Sequence, residues 1–145
     1  MSLNPYELEE SILAQVKSLF PKEVYEDDIP EDDSLEYDSR GTLVPFAIIE
    51  YGDLTRLRAD RGLVSARQDT YLYFFTVTIV TGRANDTKKM MGKMIDGLIG
   101  FRPVDGGEIT PRGSMKFSRS STTNRPTHYL RSATFQCVTN LSWEL

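Results

Sequence analysis

The sequence predicts an α+β fold, a mostly antiparallel sheet packed with two helices in the order helix, strand, strand, helix, strand, strand. Three observations carry it. Residues 70–82, TYLYFFTVTIVTG, form one long strand pattern, and the last eighteen residues, HYLRSATFQCVTNLSWEL, alternate again after an intervening turn region. Between and before them, apolar residues recur at helical spacing over 8–20 and 90–99. With 145 residues, 39% of them apolar and 26% charged, the chain is expected to be one domain over 1–145 with one moderate core.

The first helix is announced by several agreeing signals. Asn4 is a cap residue, Pro5 suits the first helical position, Glu7 completes a capping box, and Leu3 and Leu8 are placed as a hydrophobic staple. Leu8, Ile12, Val16, Leu19 and Phe20 make its apolar stripe, which Pro21 ends. From about 22 to 41 the chain is acidic and broken by Pro30, so an extended arm or loop is expected, with Val24, Tyr25, Ile29, Leu35 and Tyr37 laying part of it against a surface. LVPFAIIEY, residues 43–51, reads as a strand that Pro45 places toward a sheet edge or marks at its start. Residues 52–69 carry Arg56, Arg58, Arg61 and Arg67 around Gly62 and read as a long connection or hairpin excursion.

In the central strand Tyr71, Tyr73, Phe75, Val77 and Ile79 share one face, and Leu72, Phe74, Thr76, Thr78 and Val80 the other. The first face is apolar throughout and calls for a helix layer; the second turns mixed after Phe74 and is expected to be partly covered. Eleven residues span about 36 Å, so such a strand bends or projects beyond its sheet. The second helix has Asn85 or Asp86 as cap candidates, Met91, Met94, Ile95 and Leu98 as its stripe with Met90 and Ile99 widening it, and Gly100 to end it. Its methionines are core filler. Gly92 and Gly97 cost about 1 kcal/mol each against alanine, which points to close packing. Residues 101–127 form a turn region and a hairpin with a flexible tip at about 118–126. In the final strand Tyr129, Ala133, Phe135, Cys137, Leu141 and Trp143 share the core parity.

Charge is unevenly distributed. Residues 1–38 hold twelve acids against Lys17 and Lys22, a balance of −10, while the remaining 107 residues carry fifteen bases and nine acids, +6. Opposite patches on one subunit favour head-to-tail pairing of copies and oppose the wrong contacts. The interface candidates are therefore Glu26, Asp27, Asp28, Glu31, Asp32 and Asp33 on the acidic side and Arg112, Lys116, Arg119 and Arg125 on the basic side.

No catalytic template fits. GRANDTKK, residues 82–89, has Thr87 where a phosphate loop needs its second glycine, and neither GxGxxG nor GxSxG occurs. Cys137 lies on the apolar parity, and His128, the single histidine, reads as a surface or turn residue. Ligands for zinc are too few, and EDDIPEDD lacks the spacing and central glycine of a calcium loop, so no metal or cofactor is expected. A pI near 5.0 opposes general DNA binding, although the basic loop could touch phosphates locally. The N-terminus lacks a signal-peptide pattern, no stretch is long and apolar enough to span a membrane, and one cysteine forbids an internal disulfide, so a cytoplasmic site of synthesis and assembly is expected.

Taken together, PFAIIEYGDLTRLRADRG, then TYLYFFTVTIVTGR, then NDTKKMMGKMIDGLIGFRP, then a Gly-rich turn and strands closing on ATFQCVTNLSWEL resemble the tail terminator (tail completion) proteins of long-tailed bacteriophages, over roughly residues 5–145. The resemblance is one of ordered elements, without a catalytic signature. It implies a non-enzymatic subunit of a hexameric ring that caps the tail tube, stops its polymerisation and joins the tail to the head connector or stopper protein, in the neck region of the virion. It also implies a lumen through which DNA passes without specific binding. The acidic arm is longer than the family pattern. Another head–tail adaptor, or a protein-interaction module, is the alternative; a nuclease built on Asp27, Asp28, Asp32 and Asp33 is the least favoured.

Overall fold

The computed structural model describes residues 5–31, 34–61, 66–112, 116–122 and 125–144, with side chains at 5–31, 34–52, 71–112 and 127–139. In chain order the elements are α1 (Tyr6–Leu19), β1 (Val24–Glu26), β2 (Phe46–Arg61), β3 (Ala66–Thr81), α2 (Ala84–Leu98), β4 (Thr110–Pro111), β5 (Lys116–Thr122) and β6 (Arg125–Glu144). This is the expected α+β order with two short strands added. The sheet runs β1-β2-β3-β6-β4, and β5 also pairs with β6. All pairs are antiparallel except β1 with β2.

The core lies on one face of this sheet, beneath both helices. Ala47 and Ile49 of β2, Tyr73, Phe75, Val77 and Ile79 of β3, and Ala133, Phe135 and Cys137 of β6 meet Leu8, Ile12, Leu13, Val16 and Phe20 of the first helical segment and Met91, Met94 and Leu98 of the second. The core parities expected from the sequence hold from Tyr73 to Ile79 and from Ala133 to Cys137, whereas Tyr71 and Tyr129 are only partly buried; Leu141 and Trp143 lie outside the residues whose side chains are described. Leu13 joins the stripe of α1 unannounced. Phe75 and Phe135 stack with ring centroids 5.4 Å apart, a geometry that adds to their area burial. Gly97 explains how closely the helices approach: a Cβ there would meet the Leu19 side chain at 2.3 Å, and Gln15 Nε2 donates to the Gly97 carbonyl at 3.0 Å. Gly92 faces open space, so close packing accounts for only one of the two glycines.

Helix starts differ from expectation. α1 begins after Pro5, which sits at the cap itself and accepts the Glu9 N–H at 2.9 Å; Leu3 and Asn4 lie outside the described residues. α2 begins at Ala84, ahead of Asn85 and Asp86, with extended Arg83 at its cap. Two buried hydroxyls hold that corner in place of a side-chain cap. Thr81 Oγ1 and Thr87 Oγ1 lie 2.6 Å apart and 2.6 and 3.0 Å from the Arg83 carbonyl, so one hydroxyl donates to the other, which donates to the carbonyl. Gly100, at φ +87°, closes the helix as expected.

The largest departure is the length of β2. The strand continues past Tyr51 to Arg61, antiparallel to β3 as far as Arg61 opposite Arg67, so residues 52–69 are the excursion of a hairpin and not a loop. Register shifts by one residue between Tyr51 and Leu54, where a Cβ on Gly52 would meet the Phe74 carbonyl at 2.8 Å. Such a bulge bends the strand and increases its twist. Beyond it β2, β3 and the end of β6 continue as a three-stranded ribbon. At the opposite end β5 and β6 form the expected hairpin, with residues 118–122 in strand.

Candidate interaction surface

The acidic segment folds back over the second face of the sheet. β1 threads alongside β2, sending Val24 to the helix-side core and Tyr25 to the other side. There Leu43, Phe46, Ile48 and Val80 form a second, smaller cluster, with Tyr25, Leu35 and Leu130 packed against it. Tyr25 meets Phe46 edge to face at 5.8 Å. Residues 37–43 make a tight turn: Tyr37 bridges Leu43, Gly41 takes φ +77°, and Asp38 accepts the N–H groups of Arg40 and Thr42 at 2.8 and 2.9 Å. The Thr42 and Arg40 N–H groups hold the Asp38 carboxyl below the usual carboxylate range. Tyr37 Oη and His128 Nε2 share a 3.1 Å hydrogen bond, so the single histidine ties this segment to β6.

The acidic candidates have different jobs. Asp27 turns the chain away from the sheet at φ +46°, which aspartate tolerates better than most residues, and its Oδ1 accepts the Tyr51 N–H at 3.0 Å on the outer edge of β2. Its role is structural, and the register reveals it. Glu26 Oε1 accepts from Tyr51 Oη at 3.4 Å. Asp28 and Glu31 are exposed, with Ile29 between them 74% exposed; Asp32 and Asp33 lie outside the described residues.

On the basic side, Arg112 stands over the ring of Phe74 at 3.5 Å, on the second face, while its N–H donates to the Thr134 carbonyl. Lys116 and Arg119 sit on β5, and Arg125 opens β6 opposite Thr122. The acids from Glu26 to Glu31 thus follow the β1 edge, whereas Lys116 and Arg119 are on the strand at the far side of β6. The fold spreads the two charge groups across the width of the sheet. Glu36 to Asp38 cross toward β6 with Tyr37.

Cys137, Tyr73 and Tyr51 all have raised pKa values, so none is an activated nucleophile. Burial pushes the Cys137 thiol up to about 11, so at neutral pH it is a protonated, small apolar group. Tyr73 Oη donates to the Glu9 carboxylate, and burial, followed by that bond, raises the phenol well above its ordinary value. Burial and then Glu26 do the same to Tyr51. Among the described residues no group of three or more His, Cys, Asp or Glu is placed to hold a metal ion, and no helix is long and apolar enough to cross a membrane.

A groove of about 460 Å³ lies beside β1 at the start of β2. Tyr25, Leu35, Pro45 and Phe46 line it together with Lys22, Glu23, Ser34 and Glu36. Nothing in the sequence pattern announced it, because it forms only when residues 34–36 return beside residues 21–25.

No family model matches the chain, and no curated protein does. Among solved structures the chain is similar to one from the virion of a native gene transfer agent particle, at 12% identity and a TM-score of 0.55, with 97% of this chain and 100% of that chain covered. At that identity the likeness is one of fold.

Proposed function

We propose that this protein is a structural virion subunit that assembles head to tail into a ring, with six copies, at the end of a phage-type tail tube. The ring ends tube polymerisation and joins the tail to the head connector, and DNA crosses its lumen unbound. One observation carries this reading: acids lie along the β1 edge, and Lys116 and Arg119 on the strand beyond β6, on a fold shared over 97% of the chain with a virion chain. Surfaces of opposite sign at separate edges suit a heterologous contact, and such contacts generate rings when the rotation closes. Glu26, Asp28, Glu31, Asp32 and Asp33 then face Arg112, Lys116, Arg119 and Arg125 of the neighbour.

Sedimentation velocity and negative-stain imaging, with and without purified tail tubes, test it. Rings that bind tube ends, and that weaken as salt screens charges over about 8 Å, are expected. Changing Arg112, Lys116, Arg119 and Arg125 to glutamate should reduce assembly while leaving the subunit folded. A chain that stays monomeric and ignores tubes would replace the ring with a monomeric adaptor.

A further inference from the structure

We propose that the distal half of the β2–β3 hairpin of one copy seats in the groove beside β1 of the next. This rests on the ring reading and names a second contact within it. Three features of the chain lead there.

The first is distance. The groove is lined by Val44, Pro45 and Phe46 at the start of β2, and the hairpin turns after Arg61 at its end. Sixteen residues of strand span about 50 Å, and β3 and β6 stiffen the far part into a three-stranded ribbon. The hairpin therefore cannot reach the groove of its own chain. A groove at one end and an arm at the other make a head-to-tail pair.

The second is charge. The paired halves of the arm, Leu54–Arg61 on β2 and Arg67–Tyr73 on β3, carry Arg56, Arg58, Arg61 and Arg67 against Asp60 and Asp69, with Glu144 opposite Ala66 on β6. In the register Arg61 lies opposite Arg67, which places like charges at facing positions at the far end of the arm. The groove is lined by Glu23 and Glu36 with Lys22, within a segment, 22–38, whose sequence holds nine acids against one base. The third is the open edge. Among the described residues β1 covers β2 only from Ala47 to Ile49 and Asp27 takes the N–H of Tyr51, so Leu54–Arg61 has no strand on its outer side. Long bare edges are usually protected against pairing, and here charged residues at four of the eight positions and the register shifts at 51/54 and 56/58 disfavour an added strand, so that charge selects the partner.

Charge exchange tests the contact. The arm variant combines Arg58→Glu, Arg61→Glu and Arg67→Glu; the groove variant combines Glu23→Lys and Glu36→Lys. Each alone should raise the concentration for half-assembly at least tenfold by sedimentation velocity, and an equimolar mixture should recover most of it through the swapped arm–groove pairs. Wild-type assembly by both single variants, or no recovery on mixing, overturns the contact and leaves the ring reading standing. A wild-type chain that never self-associates overturns both. As a check independent of variant stability, Glu36→Cys with Arg61→Cys in one chain should give a ladder of covalent oligomers with a short bis-maleimide, and monomers alone would refute the docking.

Discussion

Phe74 and Phe75 are neighbours in β3, yet they belong to different parts of the molecule. Phe75 is 1% exposed, stacked on Phe135 beneath the helices, among residues whose alternation is unbroken from Tyr73 to Ile79. Phe74 is half-buried under the Arg112 guanidinium on the other face, in a row with Thr76 and Thr78 that hydrogen-bond Thr134 and Ser132 across the strands at 3.0 and 2.8 Å. One face is closed by dispersion and area burial. The other is ordered by cross-strand hydroxyl pairs, which fix register at little hydrophobic gain, and is sealed only at the end where the acidic segment lies on it. Stability thus resides mainly on the helix side.

Truncation should expose that contrast most strongly. Phe75→Ala is expected to cost about 3–5 kcal/mol in urea unfolding, whereas Phe74→Ala should cost only about 1 kcal/mol, through its cation–π contact and partial burial. Equal losses would mean that both faces are core.

Alkali should act next, and on the helix side. Cys137, Tyr51 and Tyr73 all titrate higher in the folded chain than in the unfolded one. Their stabilising effect is complete below the unfolded values, near 9 for the thiol and 10 for the phenols, and is lost as pH rises toward the folded ones. Chemical denaturation followed from pH 8 to 11 should show a steady fall. Asp38, whose carboxyl is depressed, works in the other direction: its effect is present above 3.8 and is lost as pH drops through its lower folded value. Pre-incubation with a thiol reagent at pH 7 should leave Cys137 unmodified until the chain unfolds.

Smaller effects sharpen the helix layer. Gly92→Ala should raise stability by about 0.5–1 kcal/mol, the helix-propensity gain at an open position. Gly97→Ala should give no such gain, because its Cβ displaces Leu19; thermal unfolding of the two variants side by side would reveal an opposite ranking if the helix crossing were looser. Smallest is Tyr37→Phe, which removes the exposed bond to His128 and should cost about 0.5–1 kcal/mol. Faster amide exchange confined to residues 35–43 would accompany it, and global destabilisation would make the acidic segment part of the main core.

The apolar stripes of both helices, the two parities of β3 and the C-terminal strand were legible because each depends on spacing within one segment. β2 was legible only to Tyr51. Past that point Gly52, Asp53 and alternating arginines fit a long connection as well as a hairpin excursion, and only hydrogen bonding to β3 decides for the hairpin. Asp27 looked like one acid among many, and its task became visible once β1 set it against the Tyr51 N–H.

By itself, then, the sequence determined which residues could be buried, where the helices end and how unevenly charge is distributed, since these follow from local periodicity and composition. Tertiary structure decided what no local pattern encodes. It set the acidic and basic groups on different edges of one sheet, extended two strands into an arm, and closed a groove between segments distant along the chain, because pairing partners and their register exist only when the chain is folded.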